Sequence, residues 1–160
     1  IAAGTVNNVI PESVTMHGTL RAVSERTRHA MWERIRTVAA GVAAAHGAAV
    51  EVEVRQGYPV TVNDATFAEF VASVVDDRLG PGRSFQLPNP VMGAEDFSYV
   101  LDRVQGAMVF LGVCPPDHPN PFDAPSCHSN RMVLHEDNMA DGIALHAAVA
   151  TTYLERKGQV

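Results

Sequence analysis

The residues of this chain with chemistry to offer are a handful of histidines, one exposed arginine, an asparagine-rich turn and a pair of acids. The histidines are His17, His29, His46, His118, His128, His135 and His146. None forms a two-histidine helical metal motif with an adjacent glutamate, and no Cys-x-x-Cys occurs. The densest grouping lies between Cys114 and His128, where His118, Asp123, Cys127 and His128 share one loop. A divalent ion takes three or four such ligands, so the loop could supply some of them. Its spacing matches no self-contained zinc module. A Cys127–His128 nucleophile pair is conceivable, but adjacent side chains rarely present the needed geometry. There is no glycine-rich phosphate cradle and no Gly-x-Ser-x-Gly elbow. A second place for chemistry is the polar face Thr15, His17, Thr19 and Arg21, open to a ligand or partner; the plainer reading of Arg21 is a solvated edge charge. Taken alone, these residues support a ligand-binding edge and one or two metal ligands, and they do not contain a whole active site.

The elements that must position them follow from periodicity. The run Ala107-Met108-Val109-Phe110-Leu111-Gly112-Val113 does not alternate, which suits a strand covered on both faces. Ligands collect beyond the carboxyl ends of strands in open α/β sheets, and the loop carrying His128 leaves that end. Pro115, Pro116, Pro119, Pro121 and Pro125 exclude helix and inner strand there and stiffen the backbone. The alternative is a surface connection with solvated histidines. Glu95 and Asp96 open a helix expected over 95–104, where carboxylates suit the helix dipole.

Earlier in the chain, residues 13–23 alternate as a half-buried strand, with Val14, Met16, Leu20 and Ala22 on the inner face. Ser24 caps a helix whose stripe is Met31, Ile35, Val38 and Val42, opposite Arg28, Glu33 and Arg36, and Gly47 stops it. Trp32 beside the stripe reads as packing. Val50, Val52 and Val54 alternate with Glu51, Glu53 and Arg55 as another strand. Strand, helix, strand reads as half of a two-layer α/β sandwich of the ferredoxin-like sort. Residues 56–62 cross to a second unit. There Asn63 or Asp64 caps a helix with the stripe Phe67, Phe70, Val71, Val74, Val75 and Leu79, closed by Gly80-Pro81-Gly82. Residues 84–87 suit a short strand. Glu136 and Asp137 open a final helix to about Leu154, with Met139, Ile143, Leu145, Val149, Tyr153 and Leu154 spread around it.

Composition sets the outer bounds. The 160 residues, 46% hydrophobic and 19% charged, make one soluble domain or two small ones. A net charge of -6 without a basic stripe argues against nucleic acid. No apolar run reaches membrane-spanning length. Cys114 and Cys127 are too few for a disulfide framework, so a reducing, cytoplasmic setting is expected, although the two could pair. The chain begins with Ile1 inside what reads as a strand, and a fragment of a longer protein is expected.

Four segments together resemble one family. Gly4-Thr5-Val6-Asn7-Asn8-Val9-Ile10-Pro11 resembles a Gly-Thr-x-x-Asn-Val-Ile-Pro turn. Gly18-Thr19-Leu20-Arg21 resembles a Gly-Thr-hydrophobic-Arg strand. Met92 to Ser98 resembles a Gly-x-Glu-Asp-Phe-Ser motif. His128-Ser129, with Glu136-Asp137 and a Gly142-containing helix, resembles a C-terminal histidine segment. All four belong to the dinuclear metallo-amidohydrolases related to aminoacylases and carboxypeptidases, and most closely to the hippurate and N-acyl-amino-acid hydrolase branch. The resemblance implies an α/β protein: residues 1–58 the second half of a ferredoxin-like lid that mediates homodimerisation, residues 59–160 the C-terminal part of a metallopeptidase-like catalytic domain. It implies hydrolysis of hippurate-like N-acyl amino acids with two divalent ions (Zn, Mn, Co or Ni), which lower the pKa of a bridging water and polarise the carbonyl. The glutamate base and the other ligands would lie outside this chain, leaving it inactive alone. His128 would be the one metal ligand here. Asn8, at the oxyanion or scissile amide, and Arg21, at the substrate carboxylate, would act in the partner's site. Glu95 would lie close to the active site without a settled role. An exopeptidase or dipeptidase of the same family, and a non-enzymatic α/β dimerisation module, are the alternatives.

Overall fold

A computed structural model describes residues 1–158. The chain forms two compact units, one made of Ile1–Val60 and Asn89–Glu95, the other of Thr61–Pro88 and the chain from Asp96 onward.

In the first unit, β1 (Ala2–Ala3) pairs antiparallel with β2 (Val14–Thr15), with Ala2 opposite Thr15 and Ala3 opposite Val14. Between them the chain loops out through residues 4–13. Gly4 starts that loop at φ 66°, a left-handed conformation that side chains resist, and a Cβ there would lie 3.4 Å from Pro11. After β2 comes α1 (Glu25–Ala45), which starts where expected. The Ser24 hydroxyl accepts from the Thr27 amide at 3.1 Å. At its other end Gly47 (φ 67°) donates to Ala44 and Ala48 donates to Ala43, which satisfies two terminal carbonyls.

The face that α1 buries differs from expectation. Arg28, placed by periodicity on the wet face, is only 7% exposed. Its guanidinium meets Glu25 at 2.6 Å, donates to the Tyr58 carbonyl at 2.6 Å, and lies 5.2 Å from the Trp32 ring centre. The other oxygen of Glu25 accepts from the Val60 amide at 2.9 Å. The first turn of α1 thus grips residues 58–60 through charged side chains. Meanwhile Met31, Ile35, Val38 and Val42, the expected buried stripe, stay open, Val38 at 61% exposed. Periodicity identified a stripe, and no other element of the unit covers it.

The strands are shorter than their sequence patterns. Residues 13–23 join a ladder only at Val14 and Thr15. Val52 and Val54 are half-buried between exposed Glu51, Glu53 and Arg55, so the alternation holds, yet no ladder forms among the described residues. Residues 84–87 and 107–113, expected as strands, join no ladder among the described residues either, and neither alternates in burial. Alternation is a property of one chain, whereas a ladder needs a second chain alongside to exchange amide and carbonyl bonds. The run 107–113 is correspondingly not covered on both faces, with Phe110 63% exposed.

The second unit is built on helices α2 (Ala65–Leu79), α3 (Ser98–Leu101) and α4 (Asn138–Lys157). Asp64 caps α2 by accepting from the Phe67 amide at 2.7 Å, and Gly80 ends it at φ 101°. The stripe expected on α2 is the core: Phe70, Val71, Val74 and Val75 are buried, and Phe67, Leu145, Ala148, Val149 and Tyr153 pack on that cluster. The rings of Phe67 and Tyr153 meet edge-on at 5.8 Å, and the Arg156 guanidinium covers Phe70 at 4.6 Å. Of the residues expected around α4, Leu145, Val149 and Tyr153 face α2, while Met139, Ile143 and Leu154 are exposed. Helix α3 is one turn where ten residues were expected. Tight turns at 96–97 and 102–103 flank it, and Glu95 lies outside it.

Candidate functional site

In the second unit the site is a loop stitched to a strand-like segment. Residues 107–113 are held at both ends by asparagines. At the start, the Asn63 amide both accepts from the Met108 N–H at 2.8 Å and donates to the Met108 carbonyl at 2.9 Å, while the Asp64 N–H donates to Gly106 at 3.0 Å. Gln105 donates to the capping carboxylate of Asp64 at 2.9 Å. At the other end, the Asn138 amide donates to the Gly112 carbonyl at 2.8 Å and the His135 N–H to the Val113 carbonyl at 2.9 Å. In between, the segment lies against α4. A Cβ on Gly142 would come 3.0 Å from Leu111 Cδ2, and a small cleft of about 130 Å³ is lined by Val109, Phe110, Leu111, Leu145 and His146.

From Val113 the chain runs out through the proline-rich loop and returns at His135, bonded to where it left. Inside the loop, polar groups serve local turns. The loop is not wholly irregular, because Pro121–Asp123 forms a 3-10 turn with proline at its start, where a missing N–H costs nothing. The Asn120 side chain caps it at Phe122 and donates to Asp123 at 2.7 Å, and His118 Nδ1 accepts from the Asn120 N–H at 3.4 Å. His118 and Asp123 are therefore engaged within the loop. His128 sits in a turn closed by the Ser129 amide on the Ser126 carbonyl at 2.8 Å. It is exposed, and its imidazole has no hydrogen-bond or ion-pair partner among the described residues. Cys114 and Cys127 are free thiols. No three His, Cys, Asp or Glu side chains converge as a metal site among the described residues, so the four candidates of this loop do not make one.

The other candidates belong to the first unit. Asn8 lies in the turn of the 4–13 loop, and Arg21 follows β2 outside any helix or strand. Both are exposed, with side chains unpaired among the described residues. Glu95 is half-buried and already engaged, with its carboxylate 3.9 Å from where a Cβ on Gly93 would stand. Sequence reasoning missed Asn138 altogether. The available signal was an amide at the first residue of a helix, a position without a propensity reason for asparagine.

Residues 3–152 match a family model described as Peptidase family M20/M25/M40. The chain belongs to this family. Within the family it is 35% identical over 158 residues to an N-acetyldiaminopimelate deacetylase of Streptococcus pneumoniae (strain P1031), covering 97% of this chain and 38% of the relative. It is also 35% identical over 161 residues to an IAA-amino acid hydrolase ILR1-like 2 of Arabidopsis thaliana, covering 98% of this chain and 35% of the relative. The chain thus spans little more than a third of either relative. No solved structure matches it. Among the described residues no helix is long and apolar enough to cross a membrane.

Proposed function

We propose that this chain is the C-terminal part of a metal-dependent amidohydrolase acting on N-acyl amino acids of the hippurate type. The observation that carries the reading is the family match over residues 3–152. The relatives' names, a deacetylase of an N-acetyl compound and a hydrolase of an amino-acid derivative, favour an amide of an amino acid over a peptide end. Residues 1–58 are proposed as the second half of a lid that pairs two subunits, and 59–160 as catalytic. The exposed α1 stripe and the unpaired segments 50–55 and 107–113 fit a chain whose neighbours lie elsewhere in a longer protein.

His128 is proposed to give one ligand to a centre of two divalent ions. An imidazole at a turn, exposed and uncommitted, suits that task, whereas His118 already accepts a bond in its own turn. The described residues alone do not fit a two-metal centre, so the remaining ligands and the proton-transferring glutamate are placed outside them. Arg21 offers a planar fork for a substrate carboxylate, and Asn8 an amide for the carbonyl oxygen. Glu95 is proposed to lie near the site through its own contacts, without a direct chemical step.

The test is metal content and hippurate hydrolysis of the complete protein carrying this chain. His128→Ala should lower both at least as far as the roughly 10–100-fold loss typical of residues behind a metal ligand. His118→Ala and His135→Ala should leave both near the unsubstituted level. Unchanged metal content in His128→Ala would remove the ligand assignment.

A further inference from the structure

We infer that Asn138 is a positioning residue for the loop that carries His128, holding it through the Gly112 carbonyl. The inference rests on the reading that His128 acts chemically, but the anchor can be measured without any metal. Three observations converge on it. First, the side chain of Asn138 does not serve its own helix. α4 begins without a side-chain cap, with Asp137 already in helical conformation, and the Asn138 amide reaches away to Gly112 at 2.8 Å. Second, the next residue along, Val113, accepts from the His135 N–H at 2.9 Å, so the departing and returning ends of the loop are tied at one place. Third, one turn further along α4, Gly142 leaves room for Leu111, with 3.0 Å between an added Cβ and Leu111 Cδ2. Helix start, segment end and loop base therefore form a single joint, and Asn138 is its only side-chain bond among those described.

The geometry makes one substitution informative. Asn138→Asp keeps the shape, and a carboxylate at the first residue of a helix suits the dipole there. What it removes is the N–H that Gly112 receives, leaving a carboxylate oxygen facing a carbonyl oxygen. A purely structural role for residue 138 in α4 predicts unchanged or firmer behaviour. A positioning role predicts a loop that loosens while the helix does not.

The experiment is amide hydrogen exchange and carbon-13 and proton resonance of the full 160-residue chain. In Asn138→Asp, exchange at His135 and Ser129 should rise about tenfold, the loss of one net hydrogen bond. The Gly112 carbonyl and His128 ring resonances should move. Exchange at Val74 and Leu145, in the α2–α4 core, should stay as it was. Asn138→Ser, a shorter side chain without the charge, should loosen the same amides if the aspartate variant folds poorly. Changes confined to residues 112 and 138, with 126–132 unmoved, would overturn the inference. So would a uniform acceleration that includes the core. Should the anchor behave as expected while His128→Ala keeps its metal, the ligand reading fails and the anchor stands.

Discussion

At the scale of single residues, burial of charge separates the arginine this chain commits to structure from the one it leaves uncommitted. Arg28 is buried and fully committed to neighbours except for its Nε, which has no partner. Arg21 is exposed and uncommitted. Both looked alike in sequence, as arginines on polar faces. The difference comes from residues 58–60, with Tyr58 30 positions along the chain from Arg28, which no local pattern reveals. Arg28→Ala should remove the bonds to the Tyr58 carbonyl and to one Glu25 oxygen and cost about 1–3 kcal/mol. Glu25→Gln should cost less, because its amide oxygen can still accept from Val60. Urea unfolding of the two variants checks the order, and faster exchange of the Val60 amide locates the effect. Equal stability of Arg28→Ala and the unsubstituted chain would reduce the cluster to a surface contact.

Among elements, the long helices α1, α2 and α4 were legible, whereas α3 is shorter than expected and the strand patterns form a ladder only at β1 and β2, for one physical reason. A helix closes its hydrogen bonds within itself, so caps and stripes in sequence fix it: Ser24 and Gly47 bound α1, and Asp64 and Gly80 bound α2. A strand depends on what lies beside it, and the patterns at 50–55 and 107–113 say nothing of that. The cover of a helix is equally invisible, which is why the α2 stripe is core and the α1 stripe is open. Asp64 joins the two kinds of information, since its carboxylate caps α2 and also accepts from Gln105, 41 positions away. Asp64→Ala should therefore cost more than the roughly 0.5–2 kcal/mol of an ordinary cap. Calorimetry beside Ser24→Ala, a cap without such ties, gives the comparison. A cost equal to that of Ser24→Ala would leave Asp64 as a cap alone.

For the whole molecule, the four proposed site residues divide between the units, with Asn8, Arg21 and Glu95 in one and His128 in the other. Within the proposed dimer, Arg21 and Asn8 of one subunit would serve the site containing the partner's ions. Two inactive full-length variants, Arg21→Ala and His128→Ala, should then restore activity when co-expressed. In a mixed dimer one site pairs an intact histidine with the partner's intact arginine, so random pairing restores about one quarter of the sites. No recovery from verified mixed dimers would return Arg21 to its own subunit. The family was legible in its motifs, because residue type and spacing persist in sequence. Where the proposed site residues meet was not, since periodicity and spacing along one chain do not encode which side chains come together in space.

The grip of α1 on residues 58–60 also decides what that stretch cannot join. In an extended chain the Tyr58 carbonyl and the Val60 N–H face the same side, and both are already taken by Arg28 and Glu25. The opposite side belongs to Pro59, which has no N–H to give. With one edge occupied and the other without a donor, the connector is a poor template for a foreign strand. A chain with several unpaired strand-prone segments thus keeps this end of its first unit out of intermolecular sheets.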